Sequence, residues 1–334
     1  MKSIGGDRRM KSSVRYVVAV LIVASLAPLA RAAETPSKET NKTLNVLFIG
    51  NSYTARHNLS QIVKTLAEEG NPGLKFDVTT VIYGGRTPKD HWRLGSQNMV
   101  KLWRLTKDEE QATIDDLKAQ LNRDPDDKYA RNAIERHNEM LELFGKPQKK
   151  WDIVVLQSYR DDMEGDKSAY AEFVPKFAEL IHEQGARVVL YETTPTTHNA
   201  EPLKETPDRG PIVEKEKSIA RLAKKVDATV VPMSIVAQLL HERRPDLTLR
   251  YVNDGHPNQV MAYLTACAFY AALFEKTPEG LKLDRVVENK TRDKQHPDQD
   301  PDGGPLTRVL SAKDRADLQR CAWDGVQEFR RIDK

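Results

Sequence analysis

Five short apolar runs alternating with helical patterns are the strongest constraint on this 334-residue chain. Leu44–Gly50 (LNVLFIG) is almost continuous hydrophobic sequence ending in glycine, the pattern of a strand buried on both faces of a parallel sheet. Leu59, Ile62, Val63 and Leu66 then recur at helical spacing. Phe76–Tyr83, closed by Gly84-Gly85, is the second expected strand. Asp152–Gln157 (DIVVLQ) is the third, Arg187–Glu192 (RVVLYE) the fourth and Thr229–Val231 a short fifth. Helices are expected over Ala169–Gln184, near Val213–Val226, over the apolar Ala262–Leu273 and over the amphipathic Ala312–Arg331. Strands alternating with helices imply an α/β fold whose parallel sheet is covered on both faces. No repeat of domain-building length is visible.

Two segments break this rhythm. Thr106–Lys150 holds nine basic and eleven acidic residues and no long apolar run. It reads as a charged helical insertion with a solvated face, its apolar contacts limited to Leu117, Leu121, Ile134, Leu141 and Phe144. A lid over the site is the sharper alternative. Lys282–Pro305 is rich in Asp, Pro, Gly and Lys and reads as an exposed loop before the last helix.

Residues 1–32 have the three parts of a secretory signal: a basic region to Arg15, an apolar stretch over Tyr16–Ala30, and Ala30-Arg31-Ala32 for cleavage. The apolar stretch is shorter than the ~20 residues that span a bilayer, which favours a cleaved signal over an uncut anchor. Residues 33–43 then form a polar spacer, and 44–334 the folded domain. The expected location is outside the cytoplasm, periplasmic or extracellular. No other segment approaches spanning length, so no stable membrane span is expected in the mature chain. The signal also carries six basic residues against Asp7 alone, so its removal takes the formal charge from +3 to −2. A nucleic-acid partner is therefore not expected. Two cysteines, Cys267 and Cys321, exclude a disulfide-dense scaffold and a Cys-rich zinc fold. Export permits them to pair, although nothing in the sequence brings them together.

Ligands of open α/β sheets bind beyond the carboxyl ends of the strands, so the polar residues there carry the chemistry. After the first run comes Gly50-Asn51-Ser52-Tyr53-Thr54, with neither a dinucleotide-binding G-x-G-x-x-G nor a phosphate-binding P-loop. It places a serine hydroxyl on a tight strand-to-helix turn, where a helix cap is the alternative role. Gly84-Gly85-Arg86-Thr87 follows the second run and lets backbone N–H groups approach a substrate oxygen, or makes an ordinary turn. Gln157-Ser158-Tyr159 follows the third and offers an amide or hydroxyl donor to the same point. Far downstream, Asn253-Asp254-Gly255-His256-Pro257 sets a histidine close behind a carboxylate, as an oriented general base requires. His182 and His241 fall in helical stretches and read as surface residues; His137 and His296 fall in charged segments. No metal-binding spacing such as H-E-x-x-H appears, and neither a metal nor a cofactor is expected.

Taken together, these four features resemble the SGNH (GDSL-like) hydrolase superfamily over about Leu44–Leu273, with Asn51-Ser52 in place of the usual Asp-Ser. The resemblance implies a flavodoxin-like three-layer α/β/α sandwich and a serine ester hydrolase. It implies Ser52 as nucleophile, His256 as base, and the Ser52 and Gly85 N–H groups as oxyanion donors. Gln157 stands where the family has an asparagine donor, and would be the third. The family's Asp-x-x-His spacing lands on Asn253, whereas the acid is Asp254; either can orient His256. An O-acetyl group on carbohydrate is the expected substrate class, with Tyr53, Arg86 and Arg160 as substrate-binding residues. His57, His91 and Trp92 are further exposed candidates near the strand ends, with a core role also open to Trp92. The alternatives are a non-catalytic carbohydrate-binding protein of the same fold and an acyltransferase using the same serine.

Overall fold

The computed structural model describes residues 42–146, 148–160 and 168–332. The signal peptide and most of the spacer expected from the sequence lie outside the described residues. Five parallel strands form the central sheet: β1 (Lys42–Gly50), β2 (Leu74–Ile82), β3 (Ile153–Gln157), β4 (Arg187–Tyr191) and β5 (Ala228–Val231). Their order is β2-β1-β3-β4-β5, the flavodoxin-like arrangement. β1 sits between β2 and β3, with Val46 opposite Val78 and Phe48 opposite Val155. Val46, Leu47 and Phe48 are fully enclosed, which is why this run lacks polar alternation.

The main helices are α1 (Ser52–Ala55), α2 (Leu59–Gly70), α3 (Pro88–Arg93), α4 (Ser96–Val100), α5 (Lys107–Arg123), α6 (Lys128–Leu141), α7 (Ala169–His182), α8 (Gly210–Lys225), α9 (Met233–Arg243), α10 (Gln259–Phe274) and α11 (Ala312–Ile332). α10 packs against α2, β5 and α11 and is buried from Gln259 to Leu273. Its Phe269 ring lies 5.7 Å from Phe48 and 5.1 Å from Tyr191, tying it to β1 and β4. α3, α4 and α7 pack together, with Trp92 against Phe173 and Phe177. Trp92 thus serves the core. Cys267 and Cys321 are both buried and free.

α5 and α6 lie between β2 and β3 and dock through more than apolar contact. His137 Nδ1 meets Glu110 Oε1 at 2.7 Å, and Nε2 meets the Leu94 carbonyl at 3.0 Å. Both ring nitrogens thus face oxygens, one on α5 and one just past α3. Asn98 Nδ2 donates to the other Glu110 oxygen at 2.7 Å. His137 and Glu110 are buried, not part of a solvated face, as is Ile114 beside Leu117. His241 is also buried rather than on the surface, its Nε2 3.1 Å from Asn199 Oδ1.

The segment Lys282–Pro305 is not simply an exposed loop. It contains β6 (Arg285–Val287), which pairs antiparallel with β7 (Thr307–Val309). Val286, Glu288 and Asp300 are buried. Alternating side chains share a face, so Val286 and Glu288 point the same way, inward. A second buried acidic pair lies at the β5 end. Glu192, just past β4, and Glu216 of α8 both contact Ser234 Oγ at the start of α9. One hydroxyl has a single proton, so the arrangement requires a proton on one carboxyl. Burial raises the pKa of both groups.

Candidate active site

The site lies where β1 and β3 end, at the point where strand order reverses. β1 runs into Gly50, where a Cβ would collide with Gln157 Oε1 and Thr54 Oγ1. Asn51 then caps α1, its Oδ1 accepting the Tyr53 N–H at 3.1 Å. This turn presents Ser52 as the first helical residue.

The loop carrying His256 comes from the other end of the chain. Arg250 and Pro257 bridge it, and Asn258 caps α10 by accepting from the Val260 and Met261 N–H groups. Asp302 clamps the outer side of the loop, accepting the Val252 and Asn253 N–H groups at 2.9 and 2.8 Å. His256 Nε2 thereby comes to 2.9 Å from Ser52 Oγ. His256 Nδ1 faces Asp254 Oδ1 in a short hydrogen bond, and the His256 N–H donates to the same oxygen at 3.1 Å. A carboxylate can only accept, so Nδ1 carries the ring proton and Nε2 is free to accept from the serine. Burial pushes the Asp254 pKa up, but hydrogen bonds from His256 and Arg56 outweigh it and leave the carboxyl below its ordinary value. The partner of His256 is therefore Asp254; Asn253 is exposed and its backbone is engaged with Asp302.

Ser52 and His256 open onto a cleft of about 680 Å³ lined also by Tyr53, Gly85, Tyr129, Tyr159 and Arg160. Gly85 has φ +66°, a left-handed conformation that favours glycine, and a Cβ there would meet nothing within 4 Å. Among the described residues, the N–H groups of Ser52 and Gly85 make no backbone hydrogen bond outside regular elements. Tyr129, from α6, forms one wall and donates to the Gly84 carbonyl at 2.8 Å. Tyr53 donates to the Gly255 carbonyl at 3.2 Å, with its ring 5.8 Å from that of His256. Arg160 also has a positive φ of 53°, held where its carbonyl accepts from Thr193 Oγ1 at 2.9 Å.

Several expected site residues sit elsewhere. Gln157 is not a free donor. Its Nε2 donates to Asn51 Oδ1 at 2.6 Å and to the Ser158 carbonyl at 3.1 Å, so both amide protons are committed beneath the turn. Ser158 Oγ is likewise engaged with Thr193. Arg86 stacks its guanidinium 4.3 Å over the Tyr129 ring and lines a neighbouring cleft of about 510 Å³ on the α5–α6 side. His57 and His91 are buried, not exposed. His91 Nε2 donates to the Gly50 carbonyl at 2.9 Å while burial pushes its pKa down to about 4, so this neutral ring props the end of β1.

The sequence reading missed the groups behind the site. Arg56 NH1 donates to Asp254 Oδ2 at 2.7 Å, and its Nε and NH2 bind the buried Glu288 carboxylate. Asn289 supports the same turn, accepting the His57 N–H at 3.1 Å and donating to the Ala55 carbonyl at 2.8 Å. His57 and Asn58, at φ 57° and 51°, are both left-handed here. The one sequence signal was Val286 and Glu288 sharing a strand face. Among the described residues, no group of three His, Cys, Asp or Glu is placed to hold a metal, and no helix is long and apolar enough to cross a membrane.

Three solved structures are similar to this chain. A DUF4886 family protein from Bacteroides uniformis is 16% identical over 86% of this chain and 95% of its own, with a TM-score of 0.47. A proposed SGNH hydrolase from Slackia heliotrinireducens is 16% identical over 70% of this chain and 100% of its own, with a TM-score of 0.37. A gut microbial diltiazem-metabolizing enzyme is 15% identical over 70% of this chain and 47% of its own, with a TM-score of 0.30. No protein-family model matches the chain, and no curated protein does.

Proposed function

We propose that this chain is an exported serine ester hydrolase that removes O-acetyl or other short acyl groups from carbohydrate. The observation that carries this reading is the hydrogen-bonded line from Asp254 through His256 to Ser52, opening onto the cleft. Ser52 Oγ attacks the ester carbonyl as His256 Nε2 takes its proton, and Asp254 stabilises the imidazolium that forms. The Ser52 and Gly85 N–H groups receive the developing oxyanion. The imidazolium then protonates the leaving alcohol, and water, activated by the same ring, releases the acid from the acyl-enzyme.

The cleft lining supports a sugar ester. Tyr53 and Tyr159 bring aromatic rings to the cleft, a surface suited to a sugar ring that is apolar on its faces and polar at its rim, while Tyr129 is stacked against Arg86. Among the described residues, no Asp or Glu lines the cleft, and Arg160 supplies a positive charge. Export rests on the tripartite pattern of residues 1–32.

The test uses the chain from residue 33 onward with p-nitrophenyl acetate, a serine-directed phosphonate and acetylated polysaccharides. Acetate release, with one phosphonate adduct on Ser52, is expected, and Ser52→Ala abolishes both. An adduct elsewhere, or full activity in Ser52→Ala, rejects the assignment.

A further inference from the structure

We propose that Arg56, held by Glu288, is a positioning residue that aims Asp254 at His256 and sets the acid limit of the pH range in which His256 accepts a proton. The proposal rests on the hydrolase reading above and adds the control of its base.

The two oxygens of Asp254 are divided between partners. Oδ1 takes the His256 ring and backbone N–H groups, and Oδ2 takes Arg56 NH1 at 2.7 Å. Arg56 is itself fixed from behind: Nε lies 3.0 Å from Glu288 Oε1 and NH2 lies 2.6 Å from Glu288 Oε2. A guanidinium is planar, so docking one edge on Glu288 dictates where NH1 points. Glu288 is anchored in turn, accepting the Lys290 N–H at 2.8 Å. The Arg56 and Glu288 side chains are 8% and 0% exposed, so water screens neither. Position thus passes from Glu288 to Arg56 to Asp254 to His256.

The charge matters as well as the aim. Arg56 bonds directly to Asp254, the carboxylate that partners His256, and Glu288 is joined to Asp254 only through the guanidinium. A positive charge on Oδ2 opposes part of the carboxylate's pull on an imidazolium, and its removal leaves that pull unopposed. Among the described residues, the Tyr53 ring faces His256 at 5.8 Å, Arg160 lines the same cleft, and Asp302 holds the loop from outside. His57 Nε2 lies 3.4 Å from Glu288 Oε2, and burial holds its ring below the ordinary histidine range. The Tyr251 ring lies 5.5 Å from the guanidinium, with Asp300 acting on that tyrosine from behind. Arg56 does not line the cleft, so its loss acts on turnover rather than on substrate affinity.

Two variants separate aim from charge. Arg56→Gln/Glu288→Gln removes both charges together and strands neither; Arg56→Lys keeps the charge but loses the planar fork that docks one edge on Glu288 while NH1 reaches Asp254. In the double variant kcat falls about 10-fold or more, KM stays within about 2-fold, and the acid limb of the kcat/KM profile moves to higher pH. In Arg56→Lys kcat falls with KM unchanged while the limb stays in place. The His256 ring titration, followed by NMR on full mature chains without substrate, moves in the same direction in the double variant. This arm is independent of turnover, so it decides the proposal even if the wild-type chain hydrolyses no ester. If the double variant does not fold, Arg56→Lys carries the test alone: lowered kcat at constant KM supports the relay. Folded variants with wild-type kcat, limb and ring titration overturn it, and Arg56–Glu288 is then only a structural ion pair.

Discussion

Gln157 and Asn51 hold each other twice. The glutamine Nε2 donates to Asn51 Oδ1 at 2.6 Å, and its Oε1 accepts the Asn51 N–H at 3.0 Å. The same Oε1 accepts from Thr54 Oγ1 at 2.6 Å. Asn51 Nδ2 reaches across to the Arg86 carbonyl at 3.3 Å, so one amide pair joins the ends of β1 and β3 to the Gly85 turn. Gln157→Ala strands buried polar groups, each costing about 1–3 kcal/mol. The expected outcome is a clear drop in Tm with any kcat loss accompanying it. A kcat loss of oxyanion-hole size at unchanged Tm would instead restore Gln157 as a direct donor.

Asp254→Ala and Asn253→Ala should separate sharply. Asp254 contacts the His256 ring and Arg56, whereas Asn253 is exposed. Loss of the carboxylate slows hydrolysis about 100-fold or more, the lower range for an acid–base contribution. Asn253→Ala stays within about 2-fold of wild type. Steady-state kinetics on p-nitrophenyl acetate compares them directly, and equal effects would contradict the geometry.

Gly85→Ala tests the oxyanion donor. The added methyl has space, but φ +66° strains any L side chain, so the turn shifts and its N–H moves with it. One such donor is worth roughly 3–4 kcal/mol in the transition state, so kcat should fall far more than KM rises. Matching changes in the two constants would leave Gly85 as a plain turn.

The Glu192–Glu216 pair predicts a pH dependence of stability. Burial raises both carboxyls above their unfolded value, Glu192 to about 7, so the folded chain holds protons that the unfolded chain releases. Their contribution is complete below about pH 4.5 and is lost as pH rises through the folded values. Buried His91 and His241, both pushed down to about 4, act in the opposite sense over part of this window. They cancel when a variant is compared with wild type. Glu216→Gln cannot ionise, so its Tm relative to wild type should climb from about pH 5 to about pH 8. A flat difference across that range would mean the pair titrates normally.

The sheet was legible because its strands are enclosed on both faces: the apolar runs at Leu44–Gly50 and Asp152–Gln157 end within two residues of β1 and β3. Helix α9 was legible only as a helical stretch around His241 and not as a buried one, because Ser234, Gln238 and His241 are polar yet buried, which erases the contrast between faces. In the site, residue type and local context singled out Ser52 and His256 but left Asn253 and Asp254 both open as the partner of the histidine, because spacing pointed to one and charge to the other. Arg56 could not be read, since its meaning depends on Glu288, 232 positions away in a stretch whose polar composition hid a strand. Gln157 was misread for a related reason. Its position at a strand end was visible, but its partners on Asn51 and Thr54 were not.

Ser52 and His256 lie 204 positions apart in the chain. Closing so long a loop costs entropy before its contacts repay it, and non-local pairings of this kind form slowly. On the hydrolase reading, an unfolded chain carries a serine with no base. Recovery of esterase activity during refolding would then report that this one long-range contact has formed, which secondary-structure signals do not.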